Sequence, residues 1–514
     1  MAVGLSFSNW LMSFSSFWLL GCWAIDQAII TRAERRERWQ KALRNPWFYL
    51  LLGIYLLHVV WMVSTEHIDS GMRDLRIKLP LLLFPVLFFT FRELSKTAYK
   101  FLFTFLALGA GAAALACLMI PAGLWNRPYD NVREISVFIS HIRFSILLVF
   151  CTAYLLPLIR KQPLWILVIG IYSAFLWTLE SVTGFMLLLV VFILFLLHAK
   201  QFGMPDKLRK IGLGLFALFT LTIAILITVL VQDYFRVNPD EEIVLEATPS
   251  GELYSHNLDN HLRENGHYIW RNIAWGELAY NWNLRSEMSF DSLDGRGQAL
   301  SITAIRYLTS LGYRKDATGV TALSEEDVAH IERGVTSILE FQHSGMRRRV
   351  DKILFEVDNY LNGGNPSGNS IFQRFEFWKA SQHIIAAHPL VGVGTGDVNA
   401  AMQGAYEEIE TQLLPTFRLR PHNQYLTFWV AFGISGPLVL LAIVLLPFLN
   451  KRHYRGYLFT VFIVLISLSF ITEDSLETQA GVTFFSFFAA LFTGQSPNNY
   501  LSKWFKTSSA EKGN

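Results

Sequence analysis

Three groups of residues in this chain have the types and spacing to do chemistry. The first is Arg420-Pro421-His422-Asn423-Gln424-Tyr425, which runs straight into an apolar stretch. Proline restricts the backbone before it, and the following helix would hold His422 at headgroup depth on a rigid element. An imidazole there can take a proton near neutral pH, and general-base help of that kind contributes about 10²–10⁴ in rate. A plain interfacial helix cap would use the same residues. The second group is Arg374 to Trp378, followed by the stretch HPLVGVGTGD at 388–397. Arg374 offers a planar fork of donors suited to phosphate oxygens. Gly394 and Gly396 would let backbone N–H groups approach an anion, although GVGTG matches neither a Walker loop nor a dinucleotide fingerprint and a turn between helices is the simpler reading. The third group joins His141-Ile142-Arg143, at the start of one apolar run, with Glu473, Asp474 and Glu477 between the last two. Arg143 could merely snorkel to water. The carboxylates could cap a helix, hold sugar hydroxyls or act as an alternative base.

The elements that must position these groups are set by composition. Of 514 residues 52% are hydrophobic and only 17% charged, against about 25% charged in soluble domains, which points to lipid. Apolar runs recur at about 6–24, 47–64, 78–91, 101–121, 143–159, 164–179, 182–198, 212–231, 423–448, 457–471 and 481–494. They predict an all-α polytopic bundle of about eleven spans, or twelve if a first helix is missing before Met1. The net charge of +3 is an average: residues 233–420 hold 17 Lys and Arg against 26 Asp and Glu, and the rest of the chain holds 27 against 15. Basic residues recur in alternate short loops, from Arg32–Arg44 to Lys451–Arg455 and a tail with Lys503, Lys506 and Lys512. That asymmetry predicts a cytoplasmic C-terminus and an external insert. The expected organisation is a bundle over 1–231, a largely helical external domain over 232–422, further spans over 423–494 and a cytoplasmic tail over 495–514.

Several function classes are excluded or disfavoured. Cys22, Cys117 and Cys151 all lie in apolar runs and read as small buried hydrophobes. There is no HExxH, no CxxC and no histidine cluster, so no metal and no cofactor is expected. An acidic insert disfavours nucleic acid. Apart from His58, ionisable residues are scarce deep in the runs, whereas ion-coupled transporters need them; a transporter of another kind or a non-enzymatic membrane scaffold remain the rival classes. The run Arg347-Arg348-Arg349 fits a solvated helix face better than a phosphate site.

Taken together, Arg374 with Trp378, HPLVGVGTGD, RPHNQYL (420–426) and FGISG (432–436) resemble the O-antigen ligase and O-antigen polymerase superfamily, in a form similar to members from Bacteroidetes-like bacteria. The likeness is strongest over about 371–440 and extends loosely to SHIRFS (140–145), SVTG (181–184) and EDSLETQAG (473–481). It implies a metal-independent glycosyltransferase of the bacterial inner membrane, with its large loop in the periplasm. Such a protein passes a glycan from undecaprenyl diphosphate to a hydroxyl of the lipid A core, or in polymerases to a growing glycan. The family's essential histidine falls on His422 and its loop arginine on Arg374. Arg143 would replace a second arginine that many members carry where this chain has Val182, and Arg420, Gly394, Gly396, Glu473 and Asp474 complete the expected substrate-binding set.

Overall fold

The computed structural model describes residues 1–129, 131–237, 244–449 and 456–495. The basic loop 451–455 and all of the expected tail beyond Gln495 lie outside the described residues. Among those described the chain is mostly helical, and its one regular sheet is a short antiparallel pair, Arg263–Glu264 with His267–Tyr268.

Helices occupy all eleven apolar runs. Among the described residues five helical stretches are long and apolar enough to cross a membrane: Pro46–Ser64, Lys96–Leu118, His141–Leu158, Val182–Phe202 and Asp206–Phe235. Others are shorter. The helix Pro80–Thr90, at 1.5 Å per residue, covers only about 16 Å of a hydrocarbon core about 30 Å thick. Length and composition therefore establish a helical membrane fold with five candidate spans, and the count of eleven remains an expectation.

The run at 423–448 is two helices rather than one. Gln424–Phe432 stops and Ser435–Leu449 begins anew. Gly433 lies between them with φ +57°, and backbone atoms of Leu390 and Val391 occupy the space a Cβ would need. Only glycine meets both demands without strain.

The chain forms two compact units, one of residues 1–216 with 374–514 and one of 217–373. Arg374, His422 and the 473–477 loop all belong to the first. Its core is aromatic: Phe103, Phe150, Phe462, Phe488 and Phe492 are fully buried, with Phe150 and Phe488 edge to face at 4.8 Å. Small residues Gly109 to Ala114 on the helix Lys96–Leu118 allow close helix approach. The helices Pro80–Thr90 and Gln479–Gly494 lie side by side, with Ser486 donating to the Pro80 carbonyl at 2.6 Å. The second unit has its own core around Ile269, Trp282, Leu300, Ile305 and Ile331.

Candidate functional site

His422 is held from four directions. Pro421 accepts a hydrogen bond from Trp378 Nε1 at 3.1 Å, and the imidazole stacks on Phe377 with centroids 5.6 Å apart. Asn423 caps the next helix, its side chain accepting from the Leu426 amide at 3.1 Å. Gln424 is fully buried; it accepts from the Leu476 amide at 2.7 Å and donates to Glu477 at 3.0 Å. Between these fixed neighbours His422 adopts φ +46°, the left-handed region that costs a non-glycine residue about 1–2 kcal/mol. Such strain persists only where the surroundings over-determine it, and it clusters at functional sites.

Opposite the imidazole stands the loop that follows the helix Tyr457–Thr472. His422 Nδ1 lies 3.5 Å from Glu473 Oε2 and 3.7 Å from Asp474 Oδ1, in ion-pair range but longer than a normal hydrogen bond. The other Glu473 oxygen accepts from Arg374 at 3.0 Å. One carboxylate thus bridges the arginine and the histidine. Burial alone would lower the His422 pKa, but Glu473 and Asp474 more than reverse that and hold it above the ordinary value. Burial alone would raise Glu473; His422, Arg374 and Arg143 together hold it below the usual carboxylate range. Asp474 is raised by burial, with His422 and Arg420 opposing. Beside this cluster Arg143 lines a narrow apolar slot, open on one side and with a cavity of only about 30 Å³, walled by Leu5, Ile146, Leu147, Ile466 and Phe484. Its Nε is buried without a hydrogen-bond partner.

His422, Glu473 and Asp474 are also the one group among the described residues with three potential metal-ligand atoms within 4.8 Å of one another. Arg374 already supplies the positive charge at Glu473, so a cation entering there would meet a guanidinium.

A second buried charge cluster abuts the first. Glu477 pairs with Lys78 at 2.7 Å and with Arg420 at 3.1 Å. Lys78 is 1% exposed and also pairs with Asp74. Burial would raise Glu477, yet Lys78 and Arg420 hold it far below its usual range. Sequence reasoning missed Lys78, which stood at the first position of an apolar run. Its only local signal was Asp74 one helical turn earlier. Arg420, expected to bind substrate, faces Glu477.

Gly394 and Gly396 are placed otherwise than a phosphate cradle requires. Val393 and Gly394 donate backbone hydrogen bonds to Val430 and Ala431 at 2.9 and 3.0 Å. A Cβ on either glycine would strike the 64–71 segment. Asp397 then accepts from the Glu66 and His67 amides, both at 2.8 Å. These glycines serve close backbone packing. In the second unit, Arg347 pairs with Asp351 at 3.0 Å and Arg349 with Glu356 at 3.6 Å.

Residues 334–441 match a family model described as O-Antigen ligase. A protein of Haemophilus influenzae, described as uncharacterized, is 25% identical over 123 residues, which is 23% of this chain. The matched stretch spans 30% of that relative's length.

Proposed function

Through residues 334–441 the chain belongs to the O-antigen ligase superfamily, and on that premise we propose that it transfers a glycan from undecaprenyl diphosphate to an acceptor hydroxyl on the periplasmic side of the inner membrane. The observation that carries the reading is the bridge Arg374–Glu473–His422 beside the apolar slot of Arg143. The prenyl chain stays among apolar side chains while its diphosphate meets Arg143 and Arg374. Nδ1 of His422 faces the carboxylates, which leaves Nε2 as the nitrogen to receive a proton. The acceptor O–H gives that proton to Nε2 as its oxygen attacks the anomeric carbon. The bond from that carbon to the diphosphate breaks on the opposite face, inverting the centre, and the electron pair leaves on the diphosphate oxygen. Arg374 and Arg143 stabilise the charge building there. Carboxylates behind the imidazole orient it and stabilise the imidazolium that forms, the logic of a His–Asp dyad. No metal enters any of these steps.

The acceptor proposed is the lipid A core, as in a ligase. In a strain lacking the gene, lipopolysaccharide should lose all long chains while lipid-linked polymer accumulates; a core bearing one repeat unit would reassign the acceptor to a growing glycan. His422→Ala and Arg374→Ala should each abolish transfer, with the protein still abundant in the membrane. Activity retained by both variants would overturn the reading.

A further inference from the structure

Away from the site just described, three basic side chains converge on a cavity that the proposed transfer does not use. It is a partly open cavity of about 150 Å³, lined by Arg38, Lys41, Asn45, Phe89, Arg92 and Glu93, among others. The residues come from the helix Arg32–Leu43, the start of the helix Pro46–Val60, the end of the helix Pro80–Thr90 and the end of the helix Gln479–Gly494. Lys78 precedes the other end of Pro80–Thr90, which at 1.5 Å per residue puts the cavity about 16 Å along the bundle from the Glu477 cluster.

The cavity is built rather than incidental. Its floor is fixed by Gln495, which donates to the Phe88 carbonyl at 2.7 Å and accepts from the Leu94 amide at 2.9 Å. Asp26, 3% exposed, anchors one wall through Arg38 at 2.7 Å, with Arg92 at 3.7 Å. Lys41 is paired with Glu93 at 3.3 Å, but both side chains are about two-thirds or more exposed, and exposed pairs of that kind are weak. Counting Arg38, Lys41 and Arg92 against Asp26 and Glu93 leaves one uncompensated positive charge at the cavity. On the same segment Arg32, Arg35, Arg36 and Arg44, set against Glu34 and Glu37, add a further two positive charges to the field. Apolar side chains share the rest of the lining with Asn45, Glu93 and Gln495. Phe89 and Phe91 line the cavity. Ile25 and Ile29 are exposed on the neighbouring helix Asn9–Ile29, which Gln27 ties to the Thr90 carbonyl.

We propose that this cavity binds one anionic glycerophospholipid, its phosphate between Lys41, Arg92 and Arg38 and its acyl chains along the apolar faces beside the mouth. A single phosphodiester charge matches the single uncompensated positive charge. The mixed lining favours a headgroup joined to hydrocarbon over a free anion, since basic pockets between helices at the membrane edge take such lipids. By the charge asymmetry of the loops the lipid comes from the cytoplasmic leaflet. Binding requires only that this end of the bundle meet the bilayer edge, so its failure would leave the transfer reading standing.

The test is phospholipid retention by the detergent-purified full chain, measured by native mass spectrometry after loading with phosphatidylglycerol or phosphatidylcholine. One phosphatidylglycerol per chain should be retained at least tenfold better than phosphatidylcholine. Lys41→Ala/Arg92→Ala should lose that preference, whereas Arg32→Ala/Arg36→Ala, on the same helix but outside the cavity, should keep it. Arg38 is spared because its loss would strand Asp26. Equal retention of the two lipids, no retention by the full chain, or equal loss in both double variants would overturn the proposal. So would displacement of the lipid by millimolar inorganic phosphate, which would mark a free-anion site. Glycan transfer measured on the same Lys41/Arg92 variant should persist, which separates the two functions.

Discussion

Glu473 is the residue on which the proposed chemistry turns, because it serves two partners at once. A diphosphate arriving at Arg374 competes with the carboxylate already there, and whatever the arginine gives up leaves Glu473 facing His422. Glu473→Gln removes the competitor and half of the charge behind the imidazole. Its KM for the lipid-linked donor should fall while kcat falls about 10–100-fold, the usual scale for losing a group that orients another. The pH profile gives an independent check. The base proposed at His422 must be neutral to act, and its pKa lies above the ordinary value because Glu473 and Asp474 favour the imidazolium. Activity should therefore be lost as pH falls through a value above about 6.5. Glu473→Gln and Asp474→Asn should each move that acid limb to lower pH. An unmoved limb would show that these carboxylates do not sense the catalytic proton. His422 was legible as a candidate because a proline, a histidine and a helix cap stood at the edge of an apolar run. That Nδ1 is the nitrogen facing Glu473 and Asp474 was not, since it depends on a loop some fifty residues later.

At the scale of elements, the loop 473–477 is bolted in place by Glu477, which joins Lys78, Arg420 and Gln424. Removing one partner of a buried ion pair costs about 3–5 kcal/mol, because the other is left charged and dry. Glu477→Gln takes the ion pair from Arg420 and leaves Lys78 with Asp74 alone, whereas Lys78→Met takes the cation from Asp74 and leaves Glu477 with Arg420 alone. Each variant should therefore lower the thermal midpoint of the detergent-solubilised protein; an unchanged midpoint in both would show that the cluster does not hold the loop in place. The sequence showed the carboxylates and Arg420 but not Lys78, whose partner lies 399 residues away. For the glycines of 392–396 the limit was different. A positive-φ glycine admits an anion or another backbone equally well, and only the tertiary neighbours distinguish them. Here they are Thr65, His67 and Ala431.

For the whole molecule, apolar periodicity was enough to locate the helices, because a chain in lipid must satisfy its backbone hydrogen bonds within each segment. The interruption at Gly433 escaped that reasoning, since glycine is tolerated in membrane helices and the cause lies with Leu390 and Val391. Charge distribution carried the expected orientation, and it is open to a direct check. In a variant lacking the three native cysteines, a membrane-impermeant maleimide should label Gln298→Cys in intact spheroplasts, and label Lys161→Cys only after lysis. The opposite pattern would invert the topology and put the proposed transfer on the wrong side of the membrane.

The left-handed backbone at position 422 sets stability against activity at a single residue. Glycine takes that conformation freely, so His422→Gly should be better folded than His422→Ala. The gap should be about 1 kcal/mol, read as a higher midpoint of thermal unfolding, with both variants equally dead in glycan transfer. A search for thermostable versions of this protein that ignored turnover would drift toward glycine there. It would return a sturdier protein that lacks the proposed base.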